Sequence, residues 1–92
     1  MATTFRLRLI SPTGVLFEGN IESLVAPGTE GYLGVLAHHA PLVTGLRPGT
    51  VTFRTADGKT TERRLTGGLL EVSNNQAVIL ADDVLSNSDA SG

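Results

Sequence analysis

The sequence predicts an all-β protein, a flattened β-barrel or β-sandwich of about eight to ten short, mostly antiparallel strands. Apolar and polar residues alternate along several short segments, and this period of two is typical of strands with one buried face. Clusters of Gly, Pro, Asn and Asp separate these segments at intervals of roughly eight to twelve residues, which is the spacing of turns in sandwiches and barrels. No apolar pattern with a helical period extends beyond a turn or two.

The composition limits the classes of function. The 92 residues are enough for one small domain, and 40% hydrophobic against 17% charged residues favours a folded core over disorder. A formal net charge of −2 disfavours nucleic acid and anionic lipid as partners. No run of about 18 apolar residues occurs, so we expect no direct membrane insertion. The absence of cysteine excludes disulfides and thiolate sites.

Three strands are predicted in the first third of the chain. Phe5–Ser11 alternates apolar with charged residues and forms the first strand. Pro and Gly in Ser11–Gly14 favour a turn, so Val15–Ile21 returns as the second strand of a hairpin. Glu22–Ala26 is interpreted as a separate third strand, closed by a Pro-Gly pair.

The middle of the chain is rich in glycine. We expect regular strand pairing to lapse over residues 28–41. Leu42–Leu46 is then predicted to form another strand, which Arg47–Gly49 ends with a turn.

Two further hairpins are predicted in the last third. Thr50–Thr55 and Thr60–Leu65 flank an Asp-Gly pair, which is the strongest short-range hairpin signal in the sequence. Leu69–Val72 and Ala77–Leu80 flank a second polar turn at 73–76.

The chain ends in small and polar residues that have nothing to bury. We therefore expect residues 1–84 to form the β-sandwich domain. Residues 85–92 are expected to be a disordered polar tail.

Motifs for catalysis or metal binding are weak. Gly58–Thr60 resembles the end of a phosphate-binding loop, but Phe53 stands where the motif needs its first glycine, and the segment lies within a hairpin. The adjacent histidines at 38–39 should point to opposite faces of an extended chain, and no acidic ligand follows them at a suitable spacing. We therefore expect no catalytic residue, no metal and no cofactor.

The segment Gly28–Gly49 is the strongest candidate for a functional surface. It is expected to be an irregular excursion, and it displays several large apolar side chains: Tyr32, Leu33, Leu36, Leu42 and Val43. Surface loops are usually polar, so two hypotheses remain open. The segment either covers the core or presents a preformed surface for a protein partner.

These residues resemble those of the epsilon subunit of F-type ATP synthases, a family called delta in mitochondria. The resemblance covers nearly the whole chain from Phe5 to Asp82 and implies a ten-stranded flattened β-barrel or sandwich. It is carried by blocks of sequence in the family's order, namely Glu30–Leu36, His39–Thr44, Leu46–Gly49, Leu65–Val72 and Val78–Asp82.

The resemblance implies a non-catalytic rotor subunit in the central stalk, which links the gamma subunit to the c ring and so supports the coupling of ion flow to ATP synthesis. Catalytic sites would then lie on other chains. The residues that match positions on or near the gamma side are Ser11, His39, Leu42 and Thr44. Those that match the loop facing the polar loops of the c ring are Glu30, Gly31 and Tyr32.

Most bacterial and plastid relatives continue beyond the equivalent of 81–82 into two helices. The resemblance implies a subunit without this C-terminal hairpin and without direct ATP binding, and one that is monomeric when isolated. It places the subunit peripherally on the cytoplasmic face of a bacterial plasma membrane or the stromal face of a thylakoid membrane. The alternative hypothesis is a free-standing β-sandwich that binds a small ligand.

Overall fold

The structure, a computed structural model, describes residues 3–85, which form nine strands and no helix. The predicted all-β class and the predicted number of strands are confirmed. Within this range no helix is present that could cross a membrane. The strands are β1 (Phe5–Ser11), β2 (Gly14–Gly28), β3 (Gly31–Leu36), β4 (Leu42–Leu46), β5 (Gly49–Thr55), β6 (Thr60–Leu65), β7 (Gly68–Ser73), β8 (Gln76–Ala81) and β9 (Val84–Leu85).

Strand β2 belongs to both layers of the sandwich. Its first part pairs with β1 as far as Ile21, and its second part pairs with β5 on one side and β3 on the other. The register against β5 shifts between Ile21 and Ser23, and such a bulge bends a strand without ending its pairing. The prediction of two separate strands is therefore wrong, because Val15–Ile21 and Glu22–Ala26 lie in one strand of 15 residues.

Apart from β2, the two layers contain different strands. The first layer consists of β1, β8, β7 and β4 with the first part of β2, and in it β1 and β8 run parallel. The second layer consists of the second part of β2 with β3, β5, β6 and β9. All pairings except that of β1 with β8 are antiparallel, as expected for a mostly antiparallel fold.

Apolar side chains from both layers fill the space between them. Leu7, Leu9 and Ile79 of the first layer and Leu24 and Phe53 of the second are almost completely excluded from solvent. Burial of each such side chain contributes about 1.5–3 kcal/mol, so this cluster is the main source of stability.

Strand β3 lies where the sequence predicts irregular chain. It pairs in continuous register with β2, from Gly31 opposite Gly28 to Leu36 opposite Ser23. The prediction fails over 31–36 because strand pairing uses the backbone, and Gly34 faces solvent, where no side chain is needed for packing. Residues 37–41 do lack strand structure, as predicted.

The predicted end of the domain falls within β9. Leu85, which the sequence assigns to the tail, is the last residue of this short strand, and β9 pairs with the end of β6. Residues 86–92 of the expected tail lie outside the described residues.

The turn between β5 and β6 confirms the hairpin predicted from the Asp-Gly pair. Gly58 has a φ of 92°, and the backbone N–H of Thr55 donates to the Lys59 carbonyl oxygen at 2.8 Å. The Thr55 hydroxyl also donates to the Asp57 carboxylate. This hydrogen bond is the main reason that the pKa of Asp57 lies below its usual value of 3.8.

The lowered pKa of Asp57 predicts a small dependence of stability on acid. The fold favours the ionised Asp57 carboxylate, which therefore contributes to the free energy of unfolding at pH values above the pKa of Asp57 in the unfolded chain. This contribution is lost as the pH falls through the pKa of Asp57 in the folded protein. Urea unfolding of Asp57→Asn between pH 2 and 6 should show less loss of stability in acid than the wild-type chain. Thr55→Val should reduce the same dependence, and an unchanged pH profile in both variants contradicts this assignment.

Gly68 is predicted to be the least replaceable glycine of the first layer. Its φ is 153°, and a Cβ atom here would overlap the Leu80 carbonyl oxygen and lie 3.0 Å from the Ala81 Cα. Gly68→Ala should therefore lower the free energy of unfolding by roughly 3 kcal/mol or more, from backbone strain plus steric overlap. Gly14 is a matched control because its φ is also positive, at 132°, but a Cβ there would meet nothing within 4 Å.

Gly14→Ala should cost only about 1 kcal/mol, since it introduces strain without overlap. Chemical denaturation of both variants measures the difference. Equal losses in the two variants would mean that the close approach to strand β8 does not constrain Gly68.

Candidate interaction surface

A groove separates the edges of β3 and β4 and has a volume of about 430 Å³. It brings together five of the seven site residues predicted from the sequence, while Ser11 and His39 lie outside its lining. Glu30 is its one charged group. The groove is lined by Gly28, Thr29, Glu30, Gly31, Tyr32, Leu33, Leu42, Val43 and Thr44.

The β2–β3 turn forms one end of the groove and is held against β4. The backbone N–H of Thr29 donates to the Gly45 carbonyl oxygen at 3.2 Å, and that of Arg47 donates to the Pro27 carbonyl oxygen at 2.9 Å. Glu30 is exposed on this turn and forms no ion pair with any residue in 3–85. The backbone of the turn is therefore held in place, and it carries an exposed carboxylate with no ion-pair partner in 3–85.

Tyr32 lies beside this turn, at the start of β3. Its side chain is 57% exposed, yet its hydroxyl accepts a hydrogen bond from the backbone N–H of Thr50 at 3.2 Å. The ring thus offers an exposed surface while its hydroxyl is bonded to another strand. Gly31, the neighbouring predicted contact, is half-buried opposite Gly28.

The alternation of β4 places its predicted contacts on the inner side. Leu42 and Thr44 lie opposite Val72 and Leu70, which are both buried, and Leu42 packs against the hydrophobic core. Val43 points outward and is 64% exposed. Leu42 and Thr44 are each half-buried, so Val43 offers much more surface to a partner than either of them.

His39 lies in the connection between β3 and β4. Its Nδ1 is 2.7 Å from the Ala40 carbonyl oxygen, and since a carbonyl only accepts, this nitrogen carries the proton. The adjacent residue, His38, has a φ of 64°, and its backbone N–H donates to Asn75 Oδ1 at 2.7 Å. The connection is therefore anchored to the β7–β8 turn.

Asn75 fastens three segments to one another. Its side-chain Oδ1 accepts the hydrogen bond from His38, and its side-chain Nδ2 donates to the Thr4 carbonyl oxygen at 3.1 Å. The backbone carbonyl oxygen of Asn75 accepts from the backbone N–H of Arg6 at 3.2 Å. The sequence indicates only a turn at this position. No motif reveals the anchoring role, because its partners lie 37 and 71 residues away in the chain.

Ser11 forms hydrogen bonds within the β1–β2 turn. It is buried, its Oγ accepts the backbone N–H of Thr13 at 3.3 Å, and it lies 2.9 Å from the Thr13 hydroxyl oxygen. These local bonds stabilise the turn that the sequence predicts at Ser11–Gly14.

The outer face of the first layer carries an apolar band that the sequence interpretation missed. Val15, Ile10, Leu80 and Leu69 lie opposite one another in consecutive strands, and Val43 lies beyond them on β4. All but the half-buried Ile10 are at least 39% exposed. The apolar band is defined here as Ile10, Val15, Val43, Leu69 and Leu80.

One signal in the sequence does indicate this band. Leu69-Leu70 and Ile79-Leu80 are adjacent apolar pairs in strands, and neighbouring residues of a strand face opposite sides. One member of each pair must therefore face outward. Contiguous exposed apolar residues are typical of protein–protein contact surfaces.

The described residues offer little for catalysis or metal binding. No group of three or more His, Asp or Glu side chains within 3–85 is arranged to hold a metal ion. Gly58–Thr60 lies in the β5–β6 hairpin rather than between a strand and a helix, so it does not form a phosphate-binding loop. Arg54 forms an ion pair with Glu22 at 3.2 Å.

Residues 4–87 match the family model described as the β-sandwich domain of the ATP synthase delta/epsilon chain. The chain belongs to this family. The ATP synthase epsilon chain of Dichelobacter nodosus is 40% identical over 83 residues, covering 90% of this chain and 58% of that protein. The sodium-ion-specific epsilon chain of Acetobacterium woodii is 44% identical over 82 residues, covering 89% and 62%.

Solved structures show the same fold. A chain of the Euglena gracilis mitochondrial ATP synthase OSCP/F1/c-ring assembly superposes with a TM-score of 0.84 at 22% identity, covering 92% of this chain and 54% of that one. A chain of the Tetrahymena thermophila central stalk/c-ring assembly gives 0.78 at 18% identity, covering 96% and 70%. This chain spans about three fifths of the length of the curated epsilon chains cited above.

The two faces of β4 predict opposite effects of neighbouring substitutions. Leu42→Ala should lower the free energy of unfolding by about 1–2 kcal/mol, somewhat less than for a fully buried leucine, because Leu42 packs partly on the core. Val43→Ala should change it by less than about 0.5 kcal/mol, as is usual for exposed positions. Urea denaturation of both variants checks this, and a reversed order would contradict the register of β4.

Proposed function

We propose that this chain is a non-catalytic central-stalk subunit of a rotary ATP synthase, which links gamma to the c ring and supports coupling of ion translocation to ATP synthesis. The main support for this proposal is the family match over residues 4–87, together with epsilon-chain relatives at 39–45% identity. ATP chemistry then takes place on other chains. Family membership favours this role over a free-standing module for small ligands.

The gamma contact is proposed to centre on the apolar band. Its residues lie on one face, and burying such side chains against a partner supplies binding free energy in proportion to the apolar area removed from water. Arg8, Glu18 and Glu71 lie on the same outer face and provide a polar rim. This arrangement matches the usual anatomy of protein interfaces.

The four gamma-side residues expected from the sequence are proposed to support gamma binding by positioning neighbouring segments. Leu42 and Thr44 face inward and hold β4 so that Val43 points outward. Ser11 fixes the turn that follows Ile10, and His39 lies in the connection that leads into β4. Direct contact with gamma is assigned to the apolar band.

The c-ring contact is proposed to lie at the β2–β3 turn. Glu30 presents a carboxylate that no described residue neutralises, and Gly31 and Tyr32 follow it directly. An exposed anionic group on a turn whose backbone is held suits polar loops that offer basic or hydrogen-bond-donating side chains.

These two contacts imply a peripheral position beside a membrane. We place the subunit on the cytoplasmic face of a bacterial plasma membrane or the stromal face of a thylakoid membrane, and we expect the isolated chain to be monomeric. Light scattering of the purified chain tests whether it is monomeric in solution.

Charge placed in the apolar band should weaken binding to gamma. Leu69→Asp or Leu80→Asp should raise the dissociation constant at least 30-fold, or about 2 kcal/mol, if these side chains are buried in the complex. Titration calorimetry against purified gamma measures the change. Leu36→Asp is the matched control, because Leu36 is 64% exposed but lies in the second layer.

Leu36→Asp should bind gamma as the wild-type chain does, and circular dichroism should show that all three variants remain folded. Normal gamma affinity in both band variants would remove the apolar band from the interface. Loss of affinity only in the control would transfer the interface to the second layer.

Neutralising Glu30 should affect the c ring and spare gamma. Glu30→Gln is expected to reduce ATP synthesis driven by an ion gradient by about threefold in reconstituted vesicles, since a partly exposed charge contact contributes about 0.5–1 kcal/mol. Glu62→Gln is the control, because Glu62 is also an exposed carboxylate but lies on β6. Equal effects of the two substitutions, or a loss of gamma binding in Glu30→Gln, would refute this division of the surfaces.

A further inference from the structure

A gap in backbone pairing separates β2 from β5 next to the β2–β3 turn. The ladder between these strands runs from Ile21 opposite Thr55 to Val25 opposite Thr52 and then stops. Two residues further in the same register, Thr50 would face Pro27. Proline has no backbone N–H, so it cannot donate to a ladder.

The Tyr32 hydroxyl lies in this gap. Tyr32 pairs with Pro27 in the β2–β3 ladder, and its side chain reaches beyond that proline to accept the hydrogen bond from Thr50 N–H. It thus links β3 directly to β5, although no ladder joins these two strands in the described part of the chain.

Gly49 leaves the space that this link requires. A Cβ atom at position 49 would lie 2.8 Å from the Pro27 Cβ and 2.9 Å from the Tyr32 hydroxyl oxygen. Pro27 is fully buried and cannot move aside easily. A larger residue at position 49 would therefore displace the tyrosine side chain.

Tyr32, which forms this link, lies two residues after Glu30 in the chain. On the other flank, Thr29 is bonded to Gly45 of β4, so the turn is held on one side by β4 and on the other by β5 through Tyr32. Loss of either bond would let the carboxylate of Glu30 occupy a wider range of positions.

We propose that Tyr32 is a positioning residue for the c-ring contact, because its hydroxyl ties β3 to β5 and so fixes the turn that presents Glu30. This inference rests on the proposed function. It assigns Tyr32 a role that differs from a direct c-ring contact, in that the essential atom is the hydroxyl and it acts through Glu30.

Amide hydrogen exchange of the isolated chain tests the link itself. Tyr32→Phe removes only the hydroxyl and should speed exchange of the Thr50 amide by about 3- to 10-fold, the usual net value of one hydrogen bond, with faster exchange at Thr29–Gly31. Amides of the buried residues Leu7 and Ile79 should not change. Unchanged exchange at Thr50 would overturn the proposal.

Gly49→Ala should also break the hydrogen bond between Tyr32 and Thr50, because the added Cβ atom displaces the tyrosine side chain. Tyr32 is the one tyrosine of the sequence, which has no tryptophan, so intrinsic fluorescence reports its ring alone. Acrylamide quenching of that fluorescence should increase in Gly49→Ala, and Thr50 exchange should rise as in Tyr32→Phe. Quenching and exchange equal to those of the wild-type chain would contradict the packing of Tyr32 against Gly49.

Coupling in the assembled ATP synthase tests the positioning role. Tyr32→Phe should lower gradient-driven ATP synthesis by about twofold, no more than the loss from Glu30→Gln, while gamma affinity stays unchanged. The double variant should be no worse than Glu30→Gln alone, because both changes act on one contact. A loss in Tyr32→Phe that adds fully to that of Glu30→Gln would show that Tyr32 acts independently.

The outcomes also separate this inference from the proposed function. Faster exchange with normal coupling in Tyr32→Phe overturns positioning while Glu30→Gln still reports on the c-ring contact. If Glu30→Gln alone leaves coupling unchanged, the c-ring contact and the positioning role both fail, and exchange still decides whether the hydrogen bond to Thr50 exists.

Discussion

The continuous backbone pairing of β2 is the constraint on which the rest of the structure depends. Each buried N–H and C=O group must find a partner, and β2 meets this need along 15 residues by pairing first with β1 and then with β3 and β5. The bulge near Glu22 turns the strand between the two layers. Because both layers share this strand, their inner faces are held together around one core.

The surfaces available to partners follow from this arrangement. Once Leu7, Leu70 and Ile79 are committed to the core, the residues that alternate with them must face outward, and several of these are apolar. The second part of β2 ends at the turn that carries Glu30, which lies next to the groove between β3 and β4. The apolar band and the charged turn differ in chemistry and adjoin at the groove, where Val43 and Glu30 both lie. Such a pair of surfaces fits the proposed subunit that joins two partners.

Much of this fold could be predicted from local patterns. The hairpins at 50–65 and 69–80 follow from their turn residues and from alternation, and the structure confirms both. Strand β3 was missed because its glycines suggested irregular chain, although backbone pairing does not require side chains. The continuity of β2 was missed because a bulge and a strand end look alike when only local sequence is considered.

The candidate site was less predictable than the fold. Glu30, Tyr32 and Leu42 were selected by resemblance, yet the roles of Tyr32 and Leu42 depend on contacts with Thr50 and with the core that local sequence does not specify. Asn75 carried no functional signal, although it anchors the connection that contains both histidines.

The sequence by itself determined the all-β class, most strand positions, the turns and the absence of cysteine chemistry, because these depend on residue type and on neighbours a few positions apart. Only the tertiary structure decided which residues share a surface. The parallel pairing of β1 with β8 places Ile10 beside Leu80, and the pairing of β7 with β4 places Leu69 beside Gly45. These registers join segments far apart in the chain, and they are selected by how the whole core packs, which no local pattern records.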